Sequence, residues 1–132
     1  METFTIKEAA ERLNVPASTL RYYDKEGLLP FVERSKTGYR LFTEGDLRLL
    51  RLIECLKKTG MQLRDIRRFV EWMSMGDESL NERYELFFER RSAVEAQIAE
   101  LQEMLALIEY KCAYYERAVA AGTEKVNFTE GE

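Results

Sequence analysis

Histidine is missing altogether from the 132 residues. With it go the side chain that most often titrates near neutral pH and the commonest metal ligand. There are only two cysteines, Cys55 and Cys112, far apart and each inside a helical pattern. That spacing fits neither a disulfide framework nor a zinc site. No glycine-rich loop is present to cradle a phosphate. No apolar run is long enough to span a bilayer, and the opening METFTIKEAAER has no apolar core of the kind a signal peptide needs. Without these parts the acids and bases have no organised catalytic site. The expectation is a protein that is not an enzyme, binds no cofactor or metal, does not enter a membrane and works in the cytoplasm.

What is present is a globular composition, 45% apolar and 33% charged, rather than that of a disordered chain. The length suits one small domain with an extension. The net charge of −4 conceals an asymmetry. Met1–Met73 holds fourteen Lys and Arg against eleven Asp and Glu, a net of +3. Ser74–Glu132 holds six against thirteen, a net of −7, and the two restore the −4 of the whole. A polyanion would therefore meet the first half, while the acidic total argues against indiscriminate nucleic-acid binding.

The chain is organised around Thr5–Leu29, TIKEAAERLNVPASTLRYYDKEGLL. Thr5 and Glu8 have the spacing of a capping box, in which each side chain satisfies the other's backbone N–H. Ala9, Ala10 and Leu13 give the first helix a small apolar face. Asn14 ends it, because its side chain competes for backbone hydrogen bonds and tolerates a left-handed conformation. Pro16 fits the first turn of a second helix, where its missing N–H costs nothing. Gly27 closes the segment after it. The second helix carries Ser18, Thr19, Arg21, Tyr22 and Tyr23. A short helix, a turn and a hydroxyl- and Arg-bearing helix are what a helix-turn-helix needs to read a major groove.

Pro30–Phe42, PFVERSKTGYRLF, predicts a short two-stranded ribbon turning at Thr37-Gly38, with Arg34, Lys36 and Arg40 at or near its tip. Basic residues beside an aromatic suit phosphate contact, although a plain surface loop carries the same residues. Thr43 and Asp46 then open a helix whose core face is Leu47, Leu50, Ile53 and Leu56, and Gly60 stops it. Leu63, Ile66, Phe69, Val70 and Met73 mark another amphipathic helix, with Arg64, Arg67 and Arg68 on its wet side. Ser79 and Glu82 have capping-box spacing before the longest helix.

In that helix Leu80, Tyr84, Phe87, Arg91, Val94, Ile98, Leu101, Leu105, Ile108, Cys112, Tyr115 and Val119 alternate four- and three-residue steps. This is an unbroken heptad series in which only Arg91 is charged. Its 40 residues span roughly 60 Å. A chain this small cannot cover such a stripe, so it calls for a partner helix, most simply from a second copy. Arg91 either pairs with a Glu of that copy or faces the first half of the chain. Gly122 ends the helix before a polar tail.

The TLRYYDKEGLL run at Thr19–Leu29, Arg34 with Gly38-Tyr39-Arg40, the paired helices from Asp46 through Gly60 to Val70, and the terminal heptad helix together resemble the MerR family of bacterial transcription regulators. Phe42 stands where the family more often has Tyr, so a phenol hydrogen bond is lost there. The resemblance covers nearly the whole chain. It implies a mostly α fold: a winged helix-turn-helix head over 1–75, a dimerisation helix over 76–121 forming an antiparallel coiled coil between two chains, and a flexible tail over 122–132. It implies a dimer that binds double-stranded promoter DNA and distorts it in response to a small effector, so that RNA polymerase can use a promoter whose two elements lie too far apart. In physical terms the deformation costs about 1–6 kcal/mol, met by backbone contacts, and the effector decides whether the distorted state is populated.

By position, Ser18, Thr19 and Arg21 are expected to face the bases, Arg being able to pair with guanine in bidentate fashion. Tyr22, Tyr23, Arg34, Lys36, Tyr39 and Arg40 are expected at phosphate or sugar, with Lys57 and Lys58 as further phosphate candidates. Tyr23 has an equal alternative as core, three residues after Leu20. The effector is open. Thiolate pairs of the family's metal sensors are absent, and a large C-terminal domain of the kind its drug sensors carry is not expected. Cys55, followed by Lys57 and Lys58, resembles a single-cysteine branch associated with aldehyde and electrophile stress, since cations near a thiol favour its reactive form. A small buried packing residue is the preferred reading of Cys55, and seam packing that of Cys112. Trp72, Met73 and Met75 are either core or the lining of an effector pocket. Two other functions fit less of the chain: an architectural, excisionase-like DNA binder without effector, and a coiled-coil adaptor whose head binds protein.

Overall fold

The computed structural model describes residues 2–126; the outer part of the expected tail, 127–132, lies outside the described residues. Helix α1 spans Ile6–Leu13 and α2 Ala17–Lys25. The Thr5–Glu8 box forms as the spacing requires: the Glu8 N–H donates to Thr5 Oγ1 at 3.2 Å, and the Thr5 N–H donates to Glu8 Oε1 at 2.9 Å. Asn14 turns left-handed at φ 57°, ψ 45° and closes α1. Pro16 sits at the N-cap of α2 rather than in its first turn. It still orders the start of α2, because its fixed φ suits the extended conformation taken there.

Strands β1 (Glu33–Arg34) and β2 (Arg40–Leu41) pair antiparallel, Arg34 opposite Arg40. Gly38 supplies the positive φ, +96°, that the connecting turn needs. The ribbon is tied to the chain's beginning by Phe4 and Phe42, which exchange backbone hydrogen bonds of 2.7 and 2.8 Å. Phe42 is fully buried, so its phenyl ring serves packing.

Helix α3 spans Glu44–Lys58 behind a second complete capping box, Thr43 with Asp46. Helix α4 spans Leu63–Ser74, a single 3-10 turn covers Gly76–Ser79, and α5 runs Leu80–Ala121. The capping box expected of Ser79 and Glu82 does not form. Ser79 belongs to the 3-10 turn, its hydroxyl bonds to the Trp72 and Gly76 carbonyls, and it accepts from Arg83 Nε at 3.1 Å. The buried hydroxyl is drawn to the orphan carbonyls that end α4, which outcompete the start of α5 for it.

The chain divides into two compact units, Met1–Arg90 and Arg91–Glu132. The first has one core. Leu20 and Tyr23 of α2 meet Leu47, Leu50 and Ile53 of α3 and Ile66 and Val70 of α4, all buried. Ala9 and Ala10, also buried, let α1 approach closely because they carry no bulk beyond Cβ. Phe87 meets Phe69 edge-to-face at 5.2 Å and fastens the start of α5 to α4. In the second unit, Tyr114 and Ala118 are buried, and the Tyr114 hydroxyl donates to Glu124 at 2.8 Å. The heptad positions from Ile98 onward remain open to solvent: Leu101 is 64% exposed and Ile108 59%. Fully burying one such side chain stabilises by about 1.5–3 kcal/mol, which is the driving force this stripe holds in reserve.

Candidate nucleic-acid interface

Helix α2 separates its side chains by the 100° step of an α-helix. Leu20 and Tyr23, three residues apart, turn inward. Ser18 and Arg21 are exposed, Tyr22 is 43% exposed and Thr19 is half-buried. The outward group is short, polar and cationic, and the helix stops at Glu26 and Gly27 (φ +76°).

Tyr23 does not belong to that outward group. Its ring is fully buried, its hydroxyl donates to the Glu54 carboxylate of α3, and the Lys57 ammonium lies 5.2 Å from the ring centroid. Burial, followed by the acceptor carboxylate of Glu54, raises the phenol well above its ordinary pKa. The expectation of a phosphate contact at Tyr23 is therefore corrected in favour of its core alternative, and Glu54 is the partner that decides it.

On the wing, Lys36 is exposed, Tyr39 is 57% exposed, and Arg34 steadies the turn by donating to the Gly38 carbonyl at 2.7 Å. Arg40 is different. Only 17% of its side chain is exposed, and it donates to Asp24 Oδ1 from Nη2 at 2.7 Å and from Nε at 3.2 Å, and also to the Val32 carbonyl. Arg40 thus turns away from the tip where it was expected and braces the wing against α2. Asp24 also draws Arg34, 3.7 Å away. Sequence reasoning passed over Asp24; the signal was an acid at the end of α2 followed by two arginines on a ribbon.

Arg67 likewise leaves the wet side expected of it. Its Nε donates to the Glu26 carbonyl at 2.9 Å and its Nη2 meets Glu26 Oε1 at 3.3 Å. Arg64 and Arg68 are exposed as their spacing implies. Cys55 is exposed rather than packed within this chain, with Lys57 and Lys58 also exposed nearby on α3. Cys112 is exposed too, as an uncovered heptad position would be. Trp72 lines an open cleft of about 620 Å³ together with Met61, Asp65, Arg68, Glu82, Glu85, Leu86, Glu89 and Arg90. Met73 does not join it; it borders a smaller hollow with Pro30, Phe31, Val70 and Ser74. Met75 is exposed. No group of three or more potential ligands is placed to hold a metal among the described residues, and none of the described helices is long and apolar enough to cross a membrane.

A tight helix pair whose second member presents Ser18, Arg21 and Tyr22, beside a two-stranded wing carrying Lys36 and Tyr39, defines a winged helix-turn-helix head of the DNA-binding class. The residues at 4–71 match the MerR HTH family regulatory protein family, and those at 47–109 match the family described as MerR, DNA binding. The chain belongs to the MerR family and is a DNA-binding transcriptional regulator. An uncharacterized HTH-type transcriptional regulator of Haemophilus influenzae is 50% identical over 123 residues, 93% of this chain and 91% of the relative. The regulator ZntR of Escherichia coli is 34% identical over 76% of this chain and 72% of its own. Among solved structures, HiNmlR, a MerR family regulator lacking the sensor domain and bound to promoter DNA, superposes with a TM-score of 0.87 at 50% identity, covering 95% of this chain and 99% of that one. A MerR family regulator from Bacillus thuringiensis gives 0.79 at 36% identity, covering 85% and 98%.

Proposed function

We propose that the protein acts in the cytoplasm as a homodimer joined through the 80–119 heptads in an antiparallel coiled coil, and that it binds a dyad in a promoter it shares with RNA polymerase. In this reading residues 1–75 form the reading head, 76–121 the dimerisation helix and 122–132 a tail. Ser18, Thr19 and Arg21 read base edges in the major groove. Tyr22, Arg34, Lys36 and Tyr39 hold phosphate or sugar and fix the register without carrying sequence information. The observation that supports this most is the sorting of α2. Its polar, hydrogen-bonding residues Ser18, Arg21 and Tyr22 are exposed, as are Lys36 and Tyr39 of the wing, within a fold closely matched by a regulator described as bound to promoter DNA. A small effector shifts the population of the distorted promoter complex, and Cys55, exposed on α3, is the thiol through which an electrophile would act.

Hydroxyl-radical footprinting on the region upstream of its own gene tests the reading. Two protected patches related by a dyad, centred a whole number of roughly 10-bp turns apart, are expected. A single patch would contradict the dimeric arrangement, and uniform reactivity at moderate salt would contradict DNA reading altogether.

A further inference from the structure

We propose that Arg67 of α4 is a positioning residue for α2: it sets the angle at which the reading helix is presented without touching DNA. The inference rests on the reading of α2 as the base reader.

The last turn of α2 is held by three struts, each from a different neighbour. Tyr23 is bound by Glu54 of α3. Asp24 is bound by Arg40 of β2 at 2.7 Å. Glu26, the C-cap residue, is bound by Arg67 of α4. Ser18 lies near the start of α2 and Arg21 at its middle. Leu20 and Tyr23 bury one side of the helix in the core, and the three struts fix how its last turn is held.

Arg67 is the distinctive strut. Tyr23 also fills the core, and Arg40 also pins the wing, so truncating either to alanine disturbs something else as well. Arg67 makes two bonds, and both end on Glu26: the 2.9 Å bond from Nε to its carbonyl and the 3.3 Å contact with its carboxylate. The carbonyl is one of the orphan acceptors at the end of α2, so the guanidinium both satisfies it and complements the negative end of the helix dipole. The planar fork of arginine permits this double grip, which a lysine ammonium does not reproduce. The same helix, α4, contributes Asp65, Arg68 and Trp72 to the open cleft. Arg67 is therefore the direct side-chain link from that element to the end of the reading helix.

Fluorescence anisotropy on the full chain distinguishes positioning from contact. The probes are the preferred upstream fragment and a scrambled fragment of equal length, each over a salt series. Arg67→Ala is expected to lower the ratio of the two affinities roughly tenfold, the size of one lost charge-assisted hydrogen bond. On scrambled DNA its salt slope is expected to match wild type, because no phosphate contact is removed. Arg67→Lys should recover part of the ratio. Glu26→Gln, which leaves the carbonyl bond in place, should cost less than Arg67→Ala, and added to Arg67→Ala it should cost nothing further. A salt slope smaller by about 0.9 with an unchanged ratio would make Arg67 a phosphate contact and overturn the proposal. So would an unchanged ratio with an unchanged slope, or fully additive losses in the double variant. A wild-type ratio near one would overturn the reading of α2 itself, an outcome separate from any behaviour of Arg67.

Discussion

Replacing Tyr23 by Phe keeps the ring and removes one oxygen. The ring is fully buried between α2 and α3, so the packing of Leu20, Leu50 and Ile53 around it is retained. What disappears is the hydroxyl that donates to Glu54. Hydrogen bonds to a charged partner contribute about 1.5–3 kcal/mol. Glu54 is half-buried and regains some water, so the lower part of that range, about 1.5–2 kcal/mol, is expected. For a domain of this size that is a fall in Tm of roughly 4–8 °C per kcal/mol. Urea and thermal unfolding by circular dichroism, at one fixed protein concentration because association shifts apparent stability, give the value. The pH dependence supplies a second arm. The phenol's pKa is raised in the folded chain above its ordinary value of about 10. The folded state therefore holds this proton more tightly. Its stabilisation is complete below pH about 10 and is lost as pH rises through the higher folded value. Wild type should lose stability on the alkaline side more steeply than Tyr23→Phe. A change under about 0.5 kcal/mol with identical alkaline limbs would refute the role given to Glu54. Unchanged stability with weakened DNA binding would return Tyr23 to the interface.

Other outcomes follow from the same structure. Thr43→Ala removes the 3.1 Å bond from the Asp46 N–H to Thr43 Oγ1 and should cost about 1 kcal/mol of unfolding free energy in urea. Leu105→Glu, at a position 53% exposed in the single chain, should leave the helicity of each chain intact and convert dimer to monomer in sedimentation, with loss of tight DNA binding. Cys55→Ser should leave promoter affinity unchanged and abolish any response of in vitro transcription to an aldehyde; a persisting response would assign the effector elsewhere.

The fold was largely legible because its signals are local. Thr5 and Glu8, or Thr43 and Asp46, lie within one helical turn, so spacing alone specifies their bonds. Asn14 and Gly38 mark left-handed backbone by residue type. The heptads of α5 are a one-dimensional pattern and need no partner to be read. What stayed hidden depends on groups distant along the chain. Tyr23 has the same neighbours in sequence whether it faces DNA or core, and the deciding Glu54 is 31 residues away. Arg67 looks like an ordinary surface cation until Glu26, 41 residues earlier, comes beside it. Arg40 sits in a basic tip by sequence, yet Asp24 draws it inward. Ser79 had the right spacing for a cap, but the end of α4 claimed its hydroxyl first. Tyr23, Arg67 and Arg40 each reflect a tertiary partner competing with a valid local rule, and Ser79 a competition between two adjacent helix ends.

The central claim, that α2 reads bases while the wing holds the backbone, is tested most directly by comparing Arg21→Ala with Lys36→Ala in equilibrium binding to preferred and scrambled DNA across a salt series. Arg21→Ala should cost about 1–3 kcal/mol on the preferred fragment and little on the scrambled one, while Lys36→Ala should weaken both alike and reduce the salt slope by about one. The same uniform loss from both substitutions would contradict the account.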